Sequence, residues 1–160
     1  MTSNTAVKLA ACLFLGLAGI AWAADSPDES SRQPSSDGAE VGFANLEDGQ
    51  EVPPVFKVVF LVKGMGIAPA GVNIDNTGHH HLLIDVAQAP DFDQPLPQSD
   101  NIMHFDAGES EVELRLPEGS HTLQLVLADY AHLTHEPPVD SEVITVIVSA
   151  DVSPPSAGSN

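Results

Sequence analysis

The chain has 160 residues, 23 of them acidic against five basic, for a formal charge of −18. That balance excludes a nucleic-acid surface, which needs clustered Lys and Arg, and the length accommodates one domain with short extensions. Hydrophobic residues make up 42%, too many for wholesale disorder, while 13 Pro and 12 Gly favour an all-β chain.

The N-terminus reads as a secretion signal over residues 1–23. Lys8 supplies a positive start, Leu9 to Ile20 an apolar run, and Ala21-Trp22-Ala23 a small-x-small cleavage pattern. The run is too short for a stable membrane span once the signal is cut, so a periplasmic or secreted address is expected. Cys12 would leave with the signal, which removes disulfides and thiolate sites from the cleaved chain. Lys8 would leave too, and four basic residues would face the 23 acids.

Residues 24–40, rich in Ser, Pro, Asp and Glu, read as a disordered linker, and 152–160 as a disordered tail. Between them, 41–151 alternates short apolar runs with turn signals. Strands are expected over Val41–Leu46, Val55–Lys63, His79–Val86, Ile102–Phe105, Glu111–Leu116, His121–Ala128 and Glu142–Ser149. About seven strands in this length suggest an immunoglobulin-like or fibronectin-like β-sandwich. Two long connections, Gly64 to Gly78 and Ala87 to Asp100, have the length at which loops often carry function.

Seven histidines stand out in so weakly basic a chain, and all lie in the folded segment. Alternation along the third strand puts His80 with Leu82 and Ile84 on an apolar face, as a core histidine bonded to backbone or carboxylate. His79 and His81 share the other face, with Cα atoms roughly 6.5–7 Å apart, close enough to grip one ion. His104 lies on the fourth strand. His132 and His135, three apart, converge if their segment is helical or tightly turned. Neutral imidazoles gathered from separate strands suit Cu(II), Zn(II) or Ni(II). The candidate ligands are therefore His79, His81, His104, His132 and His135, with His121 and Met65 as lesser candidates. Copper is favoured over zinc, and Asp85, Asp106 and Asp129 are possible carboxylate partners that fix histidine tautomers.

Several stretches resemble the bacterial domain-of-unknown-function 4399 family. They are Lys63 to Gly71, Asn76 to Asp85 with its triple histidine, His104-Phe105, Leu116 to Asp129, and His132-x-x-His135-x-Pro137-Pro138-Val139. The resemblance implies a small secreted or periplasmic module with no settled activity. Two positions depart from the family pattern: Asp106-Ala107-Gly108 stands where a glycine run is usual, and Tyr130 where another His is usual.

The leading expectation is an exported metal-binding protein, a copper carrier or buffer, without catalysis. The alternative is a non-catalytic module that docks an envelope protein through an apolar patch near Met65, Ile67 and Pro69, its histidines being structural. A hydrolase finds little support, since adjacent Ser120 and His121 point apart and no Gly-x-Ser-x-Gly elbow is present. Asp91, Asp93 and Asp100 could attract calcium, but solvated loop acids are the commoner explanation.

Overall fold

Strand β3 (Val55–Lys63) alternates as its sequence requires, burying Phe56, Val58 and Phe60 and exposing Lys57 and Leu61. In this computed structural model, which describes residues 32–153, β3 is the middle of a three-stranded sheet. It lies antiparallel to β1 (Glu40–Phe43) and to β7 (Glu111–Arg115). The second sheet runs β2 (Gln50–Val52), β10 (Ile144–Val148), β8 (Gly119–Ala128), β5 (Thr77–Ile84) and β4 (Gly66–Ile67). Strand β6 (Ile102–His104) adds to β5, and β9 (Thr134–Asp140) to β8. The fold is all-β, ten strands in two sheets packed as a sandwich, with no helix among the described residues.

The main core lies between the sheets. Phe56, Val58, Phe60 and Leu114 from one sheet meet Leu82, Ile84, Leu123, Leu125, Leu127 and Val146 from the other. A second, smaller core lies on the outer face of the large sheet, where Leu83, Val126, Ala128 and Ile102 are covered by Leu96 and Phe92 of the 85–101 connection. β5 is thereby buried on both faces, which explains a run of residues in which polar–apolar alternation fades.

All seven expected strands are present, and three more join them. β2 is three residues long and β4 only two, below the length at which alternation is readable. β9 carries Pro137 and Pro138, which cannot donate to a ladder; it lies at the sheet edge, where that loss is tolerated. The expected signal at 1–23 lies outside the described residues, as does the tail beyond Ser153. Of the expected linker, residues 32–35 run beside β9 and Glu40 already belongs to β1. Pro34 bridges Glu136 in parallel, and the Arg32 guanidinium bonds the carbonyls of Thr134 and His135 and pairs with Glu136 and Asp93.

Gly78 sets the spacing of β5 against β8 and β9. A Cβ there would lie 2.6 Å from the Ala128 carbonyl oxygen, 2.9 Å from Leu127 Cγ and 3.0 Å from His135 Cε1. Gly78→Ala is therefore expected to cost about 1–3 kcal/mol through overpacking. Gly42→Ala, whose Cβ meets nothing within 4 Å, should change stability by less than about 1 kcal/mol. Urea midpoints of the two variants check the contrast, and equal effects would contradict it.

Candidate metal centre

Antiparallel pairing puts His81 directly opposite His104 of β6, with Val126 of β8 on its other side. Opposed residues share a face, and the two imidazole centroids lie 4.3 Å apart. The pleat places His79 two residues along on that same face, its ring 4.6 Å from that of His81. All three extend the outer core of Leu83, Ile102, Val126 and Ala128 at its end, where histidines replace aliphatic side chains.

The fourth ring comes from the loop after β8. The buried carboxylate of Asp129 accepts hydrogen bonds from the backbone N–H groups of Ala131 (2.8 Å) and Leu133 (3.0 Å), and the His132 N–H donates to the Asp129 carbonyl at 3.0 Å. This tight turn holds His132 at φ 64°, a left-handed conformation that costs a non-glycine residue about 1 kcal/mol. His132 Nδ1 then lies 3.0 Å from His79 Nε2 and 3.3 Å from His81 Nε2. Asp106, just past β6, brings Oδ1 to 3.7 Å from His79 Nε2 and 4.0 Å from His104 Nδ1. Two ligand trios result, His79–His81–His132 and His104–Asp106–His132, each with donor atoms within 4.8 Å of one another.

Hydrogen bonding among the rings does not satisfy this arrangement. A neutral imidazole has one N–H and one lone pair, so His132 Nδ1 offers a single lone pair to two approaching nitrogens. His79 Nδ1, His81 Nδ1 and His104 Nε2 have no hydrogen-bond partner among the described residues, a property they share with His80 Nε2 outside the cluster. By contrast, ligands on a tetrahedral ion at 2.0–2.1 Å sit roughly 3.3 Å apart, close to the nitrogen separations seen here.

The rings resist protonation. Burial pushes His79 down to about 4, with help from the adjacent His132 ring and only partial opposition from Asp106. Burial and the neighbouring rings of His79, His104 and His132 push His81 down to about 2. His104 is lowered as well, again chiefly by burial, against the Pro97 carbonyl and Asp106. Neutral rings keep their lone pairs available to a cation near pH 7.

Not every sequence candidate belongs to the cluster. His135 is fully buried, but Thr134 already starts β9, so its ring turns away from His132 and lies 3.3 Å from the Leu127 carbonyl and 3.2 Å from that of Thr77. The expected convergence of His132 and His135 is thus replaced by divergence across the left-handed turn. His121 Nδ1 is bonded to Asp85 Oδ2 at 2.7 Å and its Nε2 lies 3.0 Å from the Pro117 carbonyl, which occupies both ring nitrogens and commits Asp85 there. Burial opposes ionisation of Asp85, but the His121 bond and the Thr122 N–H outweigh it and hold the carboxyl below its ordinary range. Met65 packs against the inter-sheet core, as does Met103.

His80 faces that core, 4.9 Å from the Phe60 ring and bonded to the Glu109 carbonyl, as alternation suggested. Asp129 acts on backbone amides rather than on a histidine ring. Asp106 is the donor that strand reading undervalued, although its place two residues after His104 was a usable signal. Asp91, Asp93 and Asp100 belong to no cluster of three potential metal donors among the described residues.

Two outcomes follow from this geometry. Asp129→Ala strands two backbone amides at a cost of about 2–4 kcal/mol and frees His132, whereas Asp129→Asn keeps an acceptor oxygen and loses less; denaturation midpoints rank the pair. The depressed histidine values also make the metal-free fold acid-sensitive. Below about pH 6.5 the unfolded chain takes up protons that the folded rings refuse, so stability is complete above that pH and drains away as pH falls toward 4. A melting temperature unchanged between pH 7 and 4.5 would contradict this.

Comparison with known proteins places the chain. No curated protein and no solved structure matches it. The family described as "Domain of unknown function (DUF4399)" matches residues 58–149, from the middle of β3 to just past β10, and so takes in every member of the histidine cluster. With more than half its length inside that match, the chain belongs to the domain-of-unknown-function 4399 family.

Proposed function

We propose that this protein is an exported transition-metal carrier or buffer, holding one ion between His79, His81, His104 and His132 with Asp106 beside them. The observation that carries this reading is the approach of His79 Nε2 and His81 Nε2 to the same His132 Nδ1, at 3.0 and 3.3 Å. Copper is the favoured ion, because Cu(II) stands highest among divalent ions for nitrogen donors. With both Met65 and Met103 against the inter-sheet core, the donor set is nitrogen and oxygen, which suits Cu(II) better than Cu(I). Export is supported by Lys8, the Leu9–Ile20 run and Ala21-Trp22-Ala23.

Storage or transfer fits better than catalysis. A cavity of about 530 Å³ is lined by Leu46, Val52, Phe56 and Lys57 among others, and by none of the cluster residues. His79 and His81 are themselves fully buried. Strand order also supports an immunoglobulin-like topology. β1, β3 and β7 form one sheet, while β5, β8 and β10 form the other, with β2 parallel to β10 at its edge.

A second reading is docking to an envelope protein; of the patch expected at Met65, Ile67 and Pro69, Met65 and Ile67 pack half-buried against the core, and the exposed large apolar side chains of that connection are instead Val72 and Ile74. Pull-down of a partner that survives chelation and is lost in Val72→Ser/Ile74→Ser would favour it.

Metal analysis of untagged protein and a copper titration test the main reading. One equivalent of Cu(II) is expected to bind. His79→Ala/His81→Ala should weaken binding at least about a hundredfold, while His121→Gln, remote from the cluster, should leave it unchanged. No stoichiometric uptake by the wild type, or equal affinity in the double variant, overturns the reading.

A further inference from the structure

We propose that Asp106 is the detachable ligand of the imidazole centre, the surface carboxylate that first captures a divalent cation, passes it inward to the nitrogens, and releases it last. This rests on the metal-binding reading above.

Accessibility separates the donors. His79 and His81 are 0% exposed and the His104 side chain 6%, whereas the Asp106 side chain is 56% exposed. The 85–101 connection reaches the site's edge, where the Leu96 N–H donates to the His132 carbonyl at 2.9 Å. His132 is half-buried, so Asp106 is the most exposed donor of the set, and a hydrated ion arriving from solvent meets its oxygen before the nitrogens of His79 and His81. The carboxylate charge also concentrates a hydrated cation beside it before any water is lost.

The Asp106 backbone is fixed while its carboxylate is not. Its carbonyl accepts from the Ala70 N–H at 2.9 Å, the preceding Phe105 N–H donates to the His80 carbonyl at 3.0 Å, and Gly108 closes the turn onto Phe105. Among the described residues, the carboxylate accepts no hydrogen bond and pairs with no Lys or Arg; the only basic groups within 4.0 Å are His79 and His104. It is a negative charge held beside the His79 and His104 rings, an arrangement that attracts a cation.

Distances point the same way. His132 Nδ1 already stands 3.0 and 3.3 Å from the Nε2 atoms of His79 and His81, near the spacing of ligands on one ion, while Asp106 Oδ1 stands back at 3.7 Å from His79 and 4.0 Å from His104. The nitrogens are prearranged, and the carboxylate reaches the ion by a side-chain rotation that can be reversed. Its single charge also attracts a divalent ion twice as strongly as a monovalent one at the same distance.

Asp106→Asn keeps the shape and removes the charge. Stopped-flow mixing with Cu(II), then transfer from the loaded protein to excess EDTA, reads both directions of exchange. Asp100→Asn, an exposed acid outside the cluster, controls for the general loss of one charge. Wild type and both variants should each bind one equivalent with the same imidazole-nitrogen signature in electron paramagnetic resonance. Asp106→Asn alone should load and unload about tenfold more slowly.

Equal rates in all three proteins, or equal slowing in both variants, overturn the proposal and leave the metal centre standing. A folded Asp106→Asn that binds no Cu(II) makes Asp106 a fixed ligand and also overturns it. A wild type that takes up no Cu(II) removes the underlying metal reading instead.

Discussion

Strand β5 is held on one edge by β8 and on the other by β6 and β4, and it is covered on both faces. A strand in that position has no solvent-facing side, so every side chain needs a partner. Leu82, Leu83 and Ile84 find theirs in the two apolar cores. The preceding three positions are histidines, and their fate is decided by the register with β6 and β8. His81 faces His104, His79 lies on the same side, and His80 turns to Phe60. A slip of one residue would send His79 and His81 into the inter-sheet core and leave His80 alone outside.

The outer core explains why that register has chemical consequences. Leu96 and Phe92 cover its apolar end, and the histidines continue it with polar rings under the same connection. Burial there keeps the imidazoles uncharged at neutral pH. It also leaves ring nitrogens unpartnered, at about 1–3 kcal/mol for each unsatisfied group. Set against a total stability of about 5–15 kcal/mol, this is a large cost for a fold to carry without return. In the proposed metal-bound form, binding to the folded state alone would add stability that offsets it.

Much of the sandwich is legible from alternation. β3 and β7 bury the residues that their patterns assign, and the even–odd division of β5 separates the core histidine from the pair at the site. The short β2 and β4 escape because two or three residues carry no period. β9 escapes because two prolines disguise an edge strand. His132 and His135 look equivalent at their spacing of three, yet one left-handed residue at the start of an unrecognised strand sends them to different places. Asp106 looks no different from Asp85 and Asp129 as a partner for histidine rings until β6 is docked beside β5.

The sequence alone determined the fold class, the family, the segregation of His79 and His81 from His80, and the scarcity of sulfur donors. These depend on composition and on the two-residue period of a strand, both of which are local. The tertiary structure alone decided which of the remaining imidazoles join them. His104 and His132 arrive from segments more than 20 residues distant, through strand register and a turn built by Asp129, while His121 and His135 are taken up by other partners. Contacts between residues far apart in the chain depend on pairing and packing, and no local periodicity encodes them.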